Sequence, residues 1–353
     1  MNRIPLPSSD NELHPAALTG VRVAVTLTER ERGLFFSPED ARSSLLTTGP
    51  SLECESIAAD DWEQALRQAA PHVLVTGWRT PPLPEAWLME QECPLRYVCH
   101  LTGSVRRLVP RGFMERGGLV SNWGERVSAQ VAEHALLLAL AALRNLAGWR
   151  PFILRSPDGR RIEELATRTL FGRRVSIHGF GSVARALVPL LQPFGVTLHG
   201  YSAGVPDSLL RESGLIPCGS VEELFASGDV VFECESLTPA SAGSVSARVI
   251  AALPKDAVFV NVGRGALVDQ SALVAAARQG RIRLALDVAA DEPVTAGSEL
   301  LAVPDAVLSP HIGGPTVDRY PDCGAYALAN LAQFLRGERP EAALSLAAYD
   351  RAT

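Results

Sequence analysis

The chain has 353 residues, with 33 Lys and Arg against 39 Asp and Glu, a formal net charge of −6 with histidine neutral, and 47% hydrophobic against 20% charged residues. These proportions exclude disordered and collagen-like chains, and the acidic balance argues against nucleic acid as the main partner, because neutralising phosphates needs a basic surface. At about 150 residues per domain the length suggests two domains.

A polar leader of about twenty residues carries prolines and acids where a secretory signal needs an unbroken apolar stretch, so a cytoplasmic protein is expected. Short β-branched runs then alternate with amphipathic stretches. VRVAVTL from Val21, HVLVTG from His72 and LRYVC from Leu95 read as strands, and DDWEQALRQAA from Asp60 as a helix between them. Glu125 to Arg150 reads as one long, mostly apolar helix, buried between domains or subunits. Its longest uninterrupted apolar run, Ala135 to Leu143, is too short to cross a bilayer, and no membrane partner is expected. A second series starts at Arg173 with RVSIHGFG and continues through VTLHGY, DVVFE, AVFVNV, LALDV and AVLSP, enough strands for a complete dinucleotide-binding sheet. From about Asp318 the chain is helical again and is expected to return to the first domain. The alternation defines a parallel α/β fold. The six cysteines, Cys54, Cys93, Cys99, Cys218, Cys234 and Cys323, form no CxxC pair, which suggests neither a metal site nor a disulfide scaffold but reduced thiols.

Gly179-Phe180-Gly181-Ser182-Val183-Ala184 follows the apolar run Val175 to Ile177 and opens a helical pattern. That is the setting of the GxGxxG/A turn: Gly179 permits the tight bend, Gly181 lets the backbone approach a pyrophosphate, and Ala184 allows close helix packing, while the helix N-terminus supplies N–H donors. The acid that grips the adenosine ribose is expected at the end of the next strand, where this chain has Ser202. No basic residue immediately follows to hold a 2′-phosphate, so NAD is expected, with NADP possible; alternatively Ser202 is a loop residue.

Several ordered blocks resemble the D-2-hydroxyacid dehydrogenase family, over roughly Leu95 to Thr316. They are VAEHALLLALAALRN from Val131, SLTPASAG from Ser236, NVGRGALVDQSAL from Asn261, LALDVAADEP from Leu284 and LSPHIGGPT from Leu308. The resemblance implies that His311 is the general acid/base, that Glu292 pairs with it, and that Arg264 binds the substrate's carboxylate and carbonyl oxygen. It also implies cofactor contacts at Gly179, Phe180, Gly181, Ser182, Val183, Ser202, Thr238, Val262, Gly263, Asp287 and Gly314, with Asp287 meeting the nicotinamide carboxamide. The chemistry is consistent with these roles: hydride transfer to a carbon bearing oxygen needs a proton moved at that oxygen, histidine has the suited pKa, and an arginine fork fits an α-keto acid.

The chain departs from the family in places. After the strand at Leu95–Cys99 it reads CHLTGSVRRLV, so Thr102, Gly103, Ser104 and Val105 are the candidates for holding a substrate carboxylate. Arg106 or Arg107, with Arg79 in TGWRTPPLP, is expected to face a second anionic group on the substrate; alternatively Arg106 and Arg107 lie on a solvated helix face. Glu235 in Cys234-Glu235-Ser236 either hydrogen-bonds the nicotinamide ribose or points to solvent, and Trp123 after Asn122 either narrows the substrate pocket or serves a core or interface.

The expected architecture is two doubly wound parallel-sheet domains. A Rossmann dinucleotide-binding domain, 125–315, is inserted into a flavodoxin-like substrate domain, 1–124 and 316–353, with the active site in the cleft between them. The expected activity is NAD(P)-dependent hydride transfer between the cofactor and a small-molecule 2-hydroxy or 2-keto acid, with a homodimer implied by the resemblance. Phosphite or phosphonate dehydrogenation on the same fold, and a NAD(H)-sensing binding protein like the family's corepressors, are the alternatives.

Overall fold

Runs such as VLVT and AVFVN, apolar at nearly every position rather than alternating, form strands buried on both faces, as parallel sheets covered by helices require. The computed structural model describes residues 20–40, 43–47, 50–52, 55–156 and 161–351; Cys54 lies outside them. The chain divides into two compact units, one running to Arg126 and resuming at Val317, the other spanning Val127–Thr316.

In the first unit the order is β1 (Val23–Val25), α1 (Glu29–Phe35), α2 (Ser44–Thr47), α3 (Trp62–Ala69), β2 (Val73–Thr76), α4 (Glu85–Leu88), β3 (Tyr97–His100), α5 (Arg111–Glu115) and β4 (Leu119–Ser121). The sheet is parallel in the order β1-β2-β3-β4. Ser51 adds a parallel bridge to Val25 on the outer side of β1. Counting that segment as a strand gives the order 2-1-3-4-5 of flavodoxin-like sheets. Trp62, Leu66, Trp87 and Phe113 from the helices pack on Leu74 and Val98 of the sheet.

The second unit runs through α6 (Ser128–Leu143), α7 (Leu146–Arg155), β5 (Arg174–His178), α8 (Ser182–Leu191), β6 (Thr197–Tyr201), α9 (Asp207–Glu212), β7 (Ile216–Pro217), α10 (Val221–Ser227), β8 (Val230–Glu233), α11 (Ala247–Ala252), β9 (Ala257–Asn261), α12 (Gln270–Arg278), β10 (Ile282–Leu286) and β11 (Val307–Leu308). Its seven strands are parallel in the order β7-β6-β5-β8-β9-β10-β11. The order reverses between β5 and β8, and ligands of such sheets bind at the carboxyl ends of the strands beside that switch. Two further helices, α13 (Tyr320–Leu335) and α14 (Leu346–Arg351), belong to the first unit.

The apolar stretch expected as one helix is two. Asn145 takes a left-handed conformation, φ 53°, and ends α6 before α7 begins. By length and composition Ser128–Arg155 could cross a membrane. In the structure α6 instead packs on α8, β9 and β10 as a core helix of its unit, with Ala132, Ala135, Leu138 and Ala139 buried.

Candidate active site

The second unit gathers the expected catalytic side chains at the carboxyl ends of β9, β10 and β11. Asn261 ends β9, and its side-chain oxygen accepts from the Gly263 N–H (3.0 Å) while its amide donates to the Arg264 carbonyl (3.2 Å), which fixes the turn carrying Arg264. The Arg264 guanidinium donates to the Gly263 carbonyl (2.7 Å). Burial pushes its pKa below the ordinary value, against the opposing pull of Glu292 and Asp287, both close enough to act on it electrostatically. Val262 is buried, with its N–H donating to the Glu233 carbonyl (3.1 Å).

Glu292 and His311 form a direct pair, Oε2 to Nδ1, at 2.6 Å. The other Glu292 oxygen accepts from the Ala289 N–H (3.1 Å), so the carboxylate is held from both ends. His311 is exposed, and its backbone sits at φ 55°, a left-handed conformation uncommon for a residue with a side chain and often kept at functional positions. With Nδ1 facing Glu292, the ring's free nitrogen is Nε2.

Asp287, at the end of β10, holds the loop that bears His311. Its Oδ1 accepts from the Ser309 hydroxyl (2.6 Å) and the Ile312 N–H (2.9 Å), its Oδ2 from the Gly313 N–H (2.9 Å), and its backbone carbonyl accepts from the His311 N–H (2.9 Å). Burial alone would raise its pKa; the bonds from His134, Ser309, Ile312 and Gly313 outweigh it and pull the carboxyl down to about 2. His134 of α6 reaches Ser309 (2.9 Å) and Asp287 (3.3 Å). Gly314 is half-buried in the same loop. His134 and Ser309 are supporting residues that motif reasoning overlooked, although both lie inside the quoted motif blocks.

At the glycine-rich turn Gly179 has φ +86°, and a Cβ there would stand 2.4 Å from the backbone of Glu235, so only glycine fits. Gly181 precedes α8 in an extended conformation, with nothing within 4 Å of where its Cβ would be. Gly181 is the N-cap of α8, which starts at Ser182 and is ten residues long. The cradle fits a pyrophosphate. The side chains of Phe180 and Val183 pack into or against the core, which leaves only their backbone for a ligand. Thr238 closes a local turn with Ser241, its N–H donating to the Ser241 hydroxyl at 2.8 Å. Ser202 donates to Glu235 Oε2 (2.9 Å), so Glu235 neither points to solvent nor stands alone.

The first unit is built differently. His100, ending β3, lies between two hydroxyls, Thr76 on Nδ1 (2.9 Å) and Thr102 on Nε2 (2.6 Å), and burial pushes its pKa down to about 4. A neutral ring therefore pins the start of the Thr102–Val105 loop. Asn122 donates to the Gly103 carbonyl (2.7 Å), and Trp123 lies against Gly103, where a Cβ would meet the indole at 2.7 Å. Trp123 also meets Trp78 edge-on at 6.4 Å, and Trp78 meets Tyr320 and Phe35. Ser104 is exposed. Arg79 borders a cavity of about 600 Å³ with Arg30, Glu31, Trp78 and Tyr320, and its N–H donates to Glu31 (3.1 Å). The Arg106 guanidinium donates to the Asp350 carbonyl of α14 (3.4 Å). Among the described residues, no cluster of His, Cys, Asp and Glu could hold a metal ion.

Arg264, Glu292 and His311 thus lie beyond the strand ends of the seven-stranded parallel sheet. The family model for the NAD binding domain of D-isomer specific 2-hydroxyacid dehydrogenases matches residues 136–313, half of the chain, and the chain belongs to that family. The chain is 30% identical over 229 residues to the D-3-phosphoglycerate dehydrogenase of Methanocaldococcus jannaschii, covering 64% of this chain and 43% of that protein. It therefore spans less than half the length of that relative. It is 29% identical over 233 residues to the glyoxylate reductase of Pyrococcus furiosus, covering 64% of this chain and 68% of that one. A crystal structure of a Thermus thermophilus protein has the same fold, with a TM-score of 0.74 at 24% identity, covering 92% of this chain and all of the other.

Proposed function

We propose that the protein is a NAD(P)-dependent dehydrogenase that interconverts a 2-keto acid and its 2-hydroxy acid. The observation that carries this reading is the His311–Glu292 pair at 2.6 Å with the half-buried Arg264 in electrostatic reach of Glu292. Gly179, Gly181 and the N-terminus of α8 would hold the pyrophosphate of the dinucleotide, and the Thr238 and Gly263 turns and Gly314 lie at the strand ends where the rest of it would bind. When bound, the nicotinamide supplies or accepts the hydride.

The chain's own residues handle the proton and the charge. Arg264 binds the substrate carboxylate and polarises the C2 oxygen with its planar donor fork. During reduction C2 accepts the hydride while His311 Nε2 gives its proton to the oxygen; in oxidation Nε2 takes the hydroxyl proton back. Glu292 holds Nδ1, which fixes the ring's orientation and leaves Nε2 for the substrate oxygen. Asp287, saturated by donors from the His311 loop, is a positioning residue. In the first unit the N–H groups of Gly103, Ser104 and Val105, on the loop that His100 pins, and the Arg79 side chain are the substrate-side candidates.

Exposed apolar side chains along α6 and α7, among them Leu137, Trp149, Ile153 and Leu154, support pairing of two copies through this unit. Among the described residues five cysteines are free, four of them buried, which suits the reducing cytoplasm. The acidic charge supports a small-molecule substrate rather than nucleic acid. The test is oxidation of NADH and NADPH against glyoxylate, hydroxypyruvate, phosphonopyruvate and oxaloacetate. Turnover of at least one is expected; tight dinucleotide binding with turnover of none refutes the reading.

A further inference from the structure

Dinucleotide sites of this architecture grip the adenosine ribose with an acid at the end of the strand after the glycine turn. In this chain that position is Ser202, just past β6, and the residues that follow it, Ala203 to Ser208, include no base and one acid, Asp207. The carboxylate nearest to Ser202 comes from elsewhere in the sheet. Glu235 follows β8, and β5 lies between β8 and β6, so the Glu235 side chain crosses the end of β5 to reach Ser202 at 2.9 Å. Its backbone rests directly on Gly179 of the glycine turn. The placement is built. Glu235 Oε1 accepts from the Ser236 N–H (2.9 Å), and the Glu235 N–H donates to the buried Glu233 carboxylate (2.9 Å), which is itself paired with His178 (2.6 Å).

We propose that Glu235 supplies, from the end of β8, the ribose-binding carboxylate that the chain lacks at the end of β6, and that it thereby selects NAD(H) over NADP(H). Each carboxylate oxygen has a lone pair beyond its one bond to the protein, enough to accept from the 2′- and 3′-hydroxyls. A 2′-phosphate in the same place meets a like charge, and the segment that follows Ser202 offers no base to offset it. Ser202 keeps a role as the donor that orients the carboxylate. The inference rests on the reading that the protein binds a nicotinamide dinucleotide.

The test is equilibrium binding of NADH and of NADPH to the full chain, followed by cofactor fluorescence without any substrate. Wild type should bind NADH at least roughly tenfold more tightly than NADPH, and Glu235→Gln should shrink that ratio roughly tenfold, the weight of a charged hydrogen bond. Adding Ser202→Asp to Glu235→Gln should restore the preference by returning the acid to β6. A wild type that prefers NADPH, or a ratio that Glu235→Gln leaves unchanged, overturns the proposal. Wild type that binds neither dinucleotide instead overturns the functional reading beneath it. Should Glu235→Gln lose its cooperative thermal transition, wild type decides with 2′-deoxy-NADH: roughly tenfold weaker binding than NADH is expected, and equal binding refutes the carboxylate's role.

Discussion

Replacing Glu233 by leucine removes one half of a buried ion pair in the centre of the nucleotide-binding sheet. Glu233 and His178 are register partners on β8 and β5, with side chains 0% and 3% exposed. The substitution leaves His178 without its acceptor and the Glu235 N–H without its carboxylate. Breaking one side of such a pair costs roughly 3–5 kcal/mol. At about 2–4 °C per kcal/mol for a protein of this size, Tm falls by on the order of 10 °C. The double replacement His178→Leu, Glu233→Leu restores two apolar neighbours and orphans only the Glu235 amide, a loss of about 1–3 kcal/mol. The double variant should therefore be about 2 kcal/mol more stable than Glu233→Leu alone, so the two single losses are not additive. Burial on its own would lower the pKa of His178, but Glu233, with a smaller pull from Glu235, more than offsets it and holds the ring above its ordinary 6.5. A histidine with a raised folded-state pKa stabilises fully below its unfolded value of about 6.5 and loses that contribution as pH rises through the folded value. Urea unfolding at about pH 6 and about pH 8 should thus show the advantage of wild type over the double variant shrinking at the higher pH. A Glu233→Leu protein within 1 kcal/mol of wild type, estimated as the scatter of ordinary surface changes at about ±0.5 kcal/mol doubled, or strictly additive losses, refutes the reasoning.

Other expected outcomes follow from single positions. Gly181→Ala should leave Tm unchanged, because open space surrounds the new methyl, yet weaken dinucleotide binding as measured by fluorescence titration. Gly179→Ala should instead destabilise by roughly 2 kcal/mol or more, from backbone strain and collision with Glu235; calorimetry of the two variants side by side separates the roles. Arg264→Lys should keep the fold but reduce kcat/KM roughly 10- to 100-fold, since an ammonium cannot form the bidentate contact; an unchanged kcat/KM removes Arg264 from the substrate's carboxylate.

Most of the second unit was legible from its residues, because its strands are unbroken apolar runs bounded by glycine or charged residues. AVFVNV and RVSIHGFG needed no tertiary information to read as β9 and β5. The short strands β4 and β7 were not legible: three and two residues long, they are strands only because β3 and β6 offer them an edge. The break at Asn145 was hidden for a related reason, since a left-handed asparagine inside an apolar stretch carries no pattern of its own. Side-chain partners across the sheet were the least visible. Ser202 and Glu235 are 33 residues apart, and only the order of β6, β5 and β8 brings them together. Glu233 did leave a trace, as an ionisable residue closing the otherwise apolar run VVFE. The contact of Arg106 with α14 was equally hidden, because Asp350 lies 244 residues further along the chain.

The proposed step is passage of hydride between the nicotinamide and C2 of a keto acid while His311 moves the proton. It is tested most directly with NADH deuterated at the transferred position of C4 and the keto acid turned over fastest, comparing wild type with His311→Asn. Wild type should yield a 2-hydroxy acid labelled at C2, and His311→Asn should form the same labelled product about 10²–10⁴-fold more slowly with dinucleotide affinity unchanged. Unlabelled product, or a His311→Asn protein as fast as wild type, contradicts the account.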